Sequence, residues 1–154
     1  ESTVLDLSTY PATILRPGAV TPEQLKPIIG KVVFGKEGQL LKRSPGTRYR
    51  HYSPKAEVTL VKEKNEEQVA QLIEQSTKAG RRVGLITRHP YFYESNGRVI
   101  VKMMPKDLKE YAKQMFAVIR ELDEEGVDEI IVEEVEEKGI GVAIMDRLRR
   151  AASR

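Results

Sequence analysis

The sequence predicts an α/β fold: a small doubly wound domain with a mostly parallel sheet and helices on both faces, preceded by a shorter α/β piece and a long linker. Three observations carry this. Residues 57–154 alternate β-prone runs with apolar stripes at helical spacing, in the order strand, helix, strand, strand, helix, strand, helix. That order builds a sheet covered by helices. Residues 35–56 hold no sustained period and are rich in Gly, Pro and bases; connections beyond about 12–15 residues are uncommon inside compact domains, so this stretch reads as a linker. Residues 2–34 hold too few elements to bury a core alone.

The elements follow in chain order. Ser2–Leu7 and Thr13–Arg16 are short β-prone runs separated by the turn residues Ser8-Thr-Tyr-Pro11. Thr21-Pro-Glu-Gln24 starts a helix, with Thr21 as N-cap, Pro22 in the first helical position and Gln24 closing a capping box; Gly30 stops it after about Ile29. Beyond the linker, Glu57–Lys62 alternates as a strand. Asn65 caps a helix with Val69, Leu72, Ile73 and Ser76 on one face, ended by Gly80. Arg82–Thr87 and Arg98–Lys102 are the next strands. A long helix from about Lys106 to Glu125 gathers Leu108, Tyr111, Ala112, Met115, Val118, Ile119 and Leu122 into one stripe, and Gly126 closes it. Asp128–Glu133 is a fourth strand, and Ile140 to about Ala151 a final helix resting on Ala143, Ile144, Leu148 and Ala151.

Composition bounds the function classes. The chain has 154 residues, 40% hydrophobic and 32% charged, which is globular and not disordered. With no cysteine it has no disulfide scaffold, thiolate metal site or cysteine nucleophile, and it fits a reducing, cytoplasmic compartment. No apolar run reaches the about 20 residues of a membrane helix, so no membrane partner is expected. The net charge of +3 is unevenly spread: residues 36–56 hold six basic residues and one acidic residue, while the rest is close to neutral.

That basic segment contains Ser44-Pro-Gly-Thr-Arg-Tyr-Arg-His-Tyr-Ser-Pro54, which interleaves Arg48, Arg50 and His51 with Tyr49 and Tyr52. Guanidinium groups fork onto phosphate oxygens and aromatic rings stack on bases, so the segment suits a nucleotide or a single-stranded nucleic acid as well as a plain solvated linker. Elsewhere the signals are weaker. Gly139-Ile-Gly141 lacks the third glycine of a phosphate-binding loop and follows the last strand, so a turn with close helix packing is expected. His89, in Arg88-His-Pro-Tyr-Phe-Tyr93, either packs locally or stacks on a base or partner. Two histidines without a carboxylate at ligand spacing offer no protein metal site, and the pairs Glu133-Glu134 and Glu136-Glu137 read as a solvated strand end.

Ser44-Pro-Gly-x-Arg-Tyr-x-His-Tyr-x-Pro54, preceded by Ser2-Thr-Val-Leu-Asp6 and Ile14-Leu-Arg-Pro-Gly18, resembles the two-domain L-threonylcarbamoyladenylate synthases. Residues 57–154 match more loosely, through the element order and Gly139-Ile-Gly-Val-Ala-Ile-Met-Asp-Arg-Leu148. The resemblance implies residues 1–34 as the end of a YrdC-like catalytic domain, 35–56 as an active-site linker and 57–154 as a Rossmann-like accessory domain. It implies condensation of L-threonine, bicarbonate and ATP into threonylcarbamoyl-AMP and pyrophosphate. The product feeds the machinery that transfers the threonylcarbamoyl group to adenosine in tRNA; direct tRNA contact is left open. Mg2+ is expected with the ATP. Ser2 would hold the threonine or its carbamate, with Thr3 the neighbouring candidate; Arg16 and Tyr52 would bind the nucleotide; Arg48, Arg50 and His51 would belong to a lid. No catalytic residue is assigned. Most of such a catalytic domain would lie upstream of Glu1, so the chain is expected to be the C-terminal portion of such an enzyme and inactive alone. The alternative class is a non-catalytic RNA-binding or regulatory α/β module whose basic linker grips phosphates.

Overall fold

The structure, a computed structural model, describes residues 2–35, 53–89 and 95–153. Its elements run β1 (Val4–Asp6), β2 (Ala12–Arg16), α1 (Pro22–Ile29), β3 (Val32–Phe34), β4 (Glu57–Val61), α2 (Glu66–Lys78), β5 (Val83–Thr87), β6 (Val99–Met103), α3 (Leu108–Glu124), β7 (Glu129–Glu133) and α4 (Gly141–Ala152). Two compact units arise, one from the described residues within Glu1–Ser53 and Glu136–Arg147, the other from those within Pro54–Val135 and Leu148–Arg154.

In the first unit β1 pairs antiparallel with β2, and β2 parallel with β3 through the α1 crossover. The capping box is formed as the spacing predicts: the Gln24 amide donates to the Thr21 hydroxyl (3.4 Å) and the Thr21 amide to Gln24 Oε1 (2.9 Å). Gly30 ends the helix at φ 76°, a conformation that glycine adopts without steric cost. Strand β3 is a correction to the sequence reading, which counted two strands here. Three residues directly after a helix carry no alternation, and only pairing with Ala12–Ile14 makes Val32–Phe34 a strand.

The second unit holds a four-stranded, all-parallel sheet in the order β4-β7-β5-β6. All five residues of both β5 and β7 are buried, because helices cover both faces. On one face Val61, Val83, Leu85, Val99 and Ile131 pack with Val69 and Ile73 of α2. On the other, Gly84 lets α3 approach so closely that a Cβ there would lie 2.8 Å from Leu122 Cδ1. The α3 stripe buries Tyr111, Met115, Ile119 and Leu122, four of the seven residues read from the spacing; the helix starts one residue after Asp107, whose carboxylate accepts from the Lys109 and Glu110 amides.

Central strand β7 carries a buried carboxylate at each end. Glu129, 4% exposed, accepts from Thr59 Oγ1 (2.7 Å) and from Ser76 Oγ, which explains a serine inside the apolar stripe of α2. Glu133, 3% exposed, overturns the reading of a solvated strand end at that residue: it accepts from Thr87 Oγ1 and from the Lys64 amide (3.0 Å). Lys64 adopts φ 58°, uncommon for a residue with a side chain, and its amide meets Glu133 from there. Gly139 also has positive φ, 54°, but a Cβ there would meet nothing within 4 Å; the backbone conformation of the turn, not close packing, calls for glycine.

Candidate functional site

Antiparallel pairing of β1 and β2 brings together two residues that stand 14 apart in sequence. Val4 is the partner of Arg16 at the end of β2, with a register irregularity just after it, and Ser2 lies two residues before β1 begins. Arg16 Nη2 donates to Ser2 Oγ (2.8 Å) and Nε to the Ser2 carbonyl (3.0 Å). The guanidinium thus holds both the hydroxyl and the backbone of Ser2 with one planar fork, a geometry that lysine cannot reproduce. Both side chains remain accessible, Ser2 exposed and Arg16 half-buried. Thr3, the neighbouring candidate, turns its hydroxyl to the Val20 carbonyl (2.6 Å) and fixes the loop between β2 and α1.

The turn below this pair is set by Asp6. Its Oδ1 accepts from the Ser8 amide (2.9 Å) and the Ser8 hydroxyl (2.6 Å), a local Asx turn, while the strand buries Ala12, Ile14 and Leu15. Glu23, in the first turn of α1, has its carboxyl held below the usual carboxylate range, chiefly by its own amide and the Thr21 hydroxyl, with the Gly139 amide (3.4 Å) adding to this. Arg48, Arg50, His51 and Tyr52 lie outside the described residues.

The carboxyl edge of a parallel sheet is where open α/β folds place their ligands. Here a polar cluster occupies it. Besides the Glu133–Thr87 bond, Arg88, 7% exposed, donates to Glu63 Oε1 (2.9 Å) and to the Lys106 carbonyl (3.3 Å), and His89 Nε2 lies 3.1 Å from the same Glu63 oxygen. His89 therefore meets a carboxylate, the local packing that was one of its two readings. Among the described residues no group of three or more His, Asp or Glu side chains is arranged to hold a metal.

Tyr111 sits beside this cluster, 1% exposed, and its hydroxyl has no hydrogen-bond partner among the described residues. Burial raises its pKa well above the ordinary tyrosine range; the nearby Arg88 cation opposes the rise and the Glu133 anion adds to it. A proton held more tightly in the folded state stabilises fully below the unfolded tyrosine pKa of about 10, and that contribution is lost as pH rises beyond it. Replacing Tyr111 by Phe removes an unsatisfied buried hydroxyl, so the variant is expected to be more stable at neutral pH by about 1 kcal/mol. Its melting temperature should also fall less steeply above pH about 10. Melting curves across that range check both; a less stable variant would show that the hydroxyl is satisfied.

The comparisons with known proteins converge on one family. The model of the threonylcarbamoyl-AMP synthase C-terminal domain matches residues 20–153. The threonylcarbamoyl-AMP synthase of Pyrococcus abyssi (strain GE5 / Orsay) is 38% identical over 160 residues, covering 99% of this chain and 45% of that protein. That of Bacillus subtilis (strain 168) is 34% identical over 162 residues, with the same coverage of 99% and 45%. The crystal structure of P. abyssi Sua5 complexed with L-threonine superposes with a TM-score of 0.81 at 32% identity, covering 99% of this chain and 45% of that one. The chain spans a little under half the length of these curated relatives. No helix among the described residues is long and apolar enough to cross a membrane. With a family match over most of its length and the same α/β arrangement, the chain belongs to the threonylcarbamoyl-AMP synthase C-terminal domain family.

Proposed function

We propose that this chain is the C-terminal part of an enzyme that makes threonylcarbamoyl-AMP and pyrophosphate from L-threonine, bicarbonate and ATP, for threonylcarbamoyladenosine formation in tRNA. The observation that carries this reading is the fork of Arg16 on Ser2, which joins the residue assigned to the nucleotide to the one assigned to threonine. The bound L-threonine of the P. abyssi Sua5 structure supports the amino-acid substrate. In this division residues 1–34 close the catalytic domain, 35–56 form the linker and 57–154 the accessory domain. Exposed apolar side chains fit it: of the large ones among the described residues, Leu7, Tyr10, Val20, Ile28 and Phe34 lie in the first part and Met103 alone in the accessory part, and such a cluster is the kind of surface that packs against further protein.

Adenylyl transfer develops negative charge on the phosphates, so a cation held in place beforehand lowers the barrier. Arg16 supplies such a cation, and its bond to the Ser2 hydroxyl holds in place the side chain that the resemblance assigns to threonine. Excluding water protects a labile carbamate, the role that the resemblance gives to Arg48, Arg50 and His51 while Tyr52 meets the nucleotide. Mg2+ would accompany the ATP phosphates and there neutralise charge. The enzyme would act in the cytoplasm, ahead of the transfer of the threonylcarbamoyl group to tRNA.

The test uses two proteins. With threonine, bicarbonate and MgATP, the full-length protein is expected to release pyrophosphate in a threonine-dependent reaction, and residues 1–154 alone none. Robust release by this chain would overturn its assignment as a partial catalytic unit; no release by the full-length protein would overturn the activity itself.

A further inference from the structure

A side-chain fork cannot by itself fix a residue that lies outside the sheet. Ser2 precedes Val4, the first paired residue of β1, and the ladder is irregular between Val4 and Leu5. The Arg16 guanidinium holds Ser2 from the β2 side. A second restraint comes through its neighbour. Thr3 is half-buried, and its Oγ1 donates to the Val20 carbonyl (2.6 Å), a contact that closes 17 residues of chain. Val20 is a firm anchor because the next residue, Thr21, caps α1. The Thr21 carbonyl accepts from the Leu25 amide (3.1 Å), its hydroxyl accepts from the Gln24 amide, and its own amide donates to Gln24 Oε1. The start of β1 is thus fastened at two points, one on β2 and one on the end of α1.

We propose that Thr3 is a positioning residue: its hydroxyl ties the start of β1 to the N-cap of α1 and, together with the Arg16 fork, fixes Ser2 for threonine. This rests on the proposed function, and it takes the Thr3 hydroxyl away from direct contact with the substrate. Adjacent Cα atoms stand about 3.8 Å apart, so a restraint on Thr3 leaves Ser2 little room. Ordering done before threonine arrives is not charged against its binding. Arg16 depends less on the tether, because it ends a strand whose residues Ala12–Ile14 pair with β3. Loosening the tether should therefore fall on threonine more than on ATP.

The experiment compares Thr3→Val, Thr3→Ser and Thr21→Ala with wild type in the full-length protein, following pyrophosphate release with each substrate varied in turn. Valine keeps the β-branched shape and strand preference of threonine without the hydroxyl. Val20 is exposed, so its carbonyl can turn to water and the fold is retained. Thr3→Val is expected to raise KM for threonine by about three- to tenfold, the range of one hydrogen bond. KM for ATP should stay within about twofold of wild type. Serine restores the donor, so Thr3→Ser should lie within about twofold of wild type in both constants. Thr21→Ala loosens the far anchor and should also raise KM for threonine. Added to Thr3→Val, it should change KM for threonine by less than about twofold, because both act on one tether. An unchanged KM for threonine in Thr3→Val, an equal rise in both KM values, or no rescue by serine would overturn the positioning role. So would Thr21→Ala with wild-type kinetics, which would put the Thr3 hydroxyl against the substrate itself. Failure of the underlying function shows separately, as a wild-type protein without threonine-dependent pyrophosphate release.

Discussion

Replacing Gly84 by alanine is expected to destabilise the second unit by about 1–3 kcal/mol, although alanine is the smallest side chain that could be added. The new Cβ would lie 2.8 and 2.9 Å from the two methyls of Leu122 and 3.2 Å from its Cγ. Leu122 is fully buried and has no solvent to move into, so either its rotamer or the helix must shift. Leu122→Ala alone should cost about 2–5 kcal/mol through the cavity it leaves. The two changes touch the same space, so the double variant should be less destabilised than the sum by about 1–3 kcal/mol. Denaturant midpoints of the four proteins measure this; additive losses would mean that α3 does not seat on β5 through this contact.

Local chemistry made the helices readable. Thr21 with Gln24, and Asn65 whose side chain accepts from the Gln68 amide, are caps complete within four residues, and both formed. The stripe of α3 was equally plain, because Tyr111, Met115, Ile119 and Leu122 recur at helical spacing. Pairing between distant segments was not readable in the same way. Strand β3 exists through its register with β2, and three residues are too few to show a period. Glu133 looks solvated in a run of glutamates; its burial depends on Thr87 and Lys64, 46 and 69 residues away. Ser76 was placed on the inner face by its spacing, but its purpose appears only with Glu129 opposite.

The candidate site divides along the same line. Ser2 and Arg16 came from family resemblance, which names residues but not their contact; the antiparallel register of β1 and β2 supplies the contact. Outside the candidate site, the contact of the Asp123 carboxylate with the Lys55 and Ala56 amides was overlooked, although the sequence held a signal for it. A helix ending in Leu-Asp-Glu-Glu-Gly, with no lysine or arginine in its last turn, breaks the rule that cations favour that end. A local rule broken without a local reason points to a distant partner.

In the full-length protein, replacing Arg16 by alanine is expected to lower kcat/KM for ATP by about 100-fold, the usual loss when one fixed donor to a developing phosphate charge is removed. Stability should hardly change. The bonds to Ser2 lie at an exposed strand end, where a hydrogen bond contributes about 1 kcal/mol or less, whereas a 100-fold loss of rate corresponds to about 2.7 kcal/mol. Arg16→Lys keeps the charge but cannot grip the Ser2 hydroxyl and carbonyl together, so an intermediate loss of about tenfold is expected. Ser2→Ala should also lose about tenfold, mainly in KM for threonine. The decisive comparison is the double variant. If the guanidinium orients the hydroxyl, then removing the hydroxyl from a protein that already lacks Arg16 costs little, and the double variant should resemble Arg16→Ala alone. Losses that simply multiply would mean that the two residues serve ATP and threonine independently, and that their hydrogen bond is incidental to catalysis. Steady-state kinetics on the four proteins, with each substrate varied in turn, separates these outcomes, because coupling through the fork predicts that Arg16→Ala raises KM for threonine as well as for ATP.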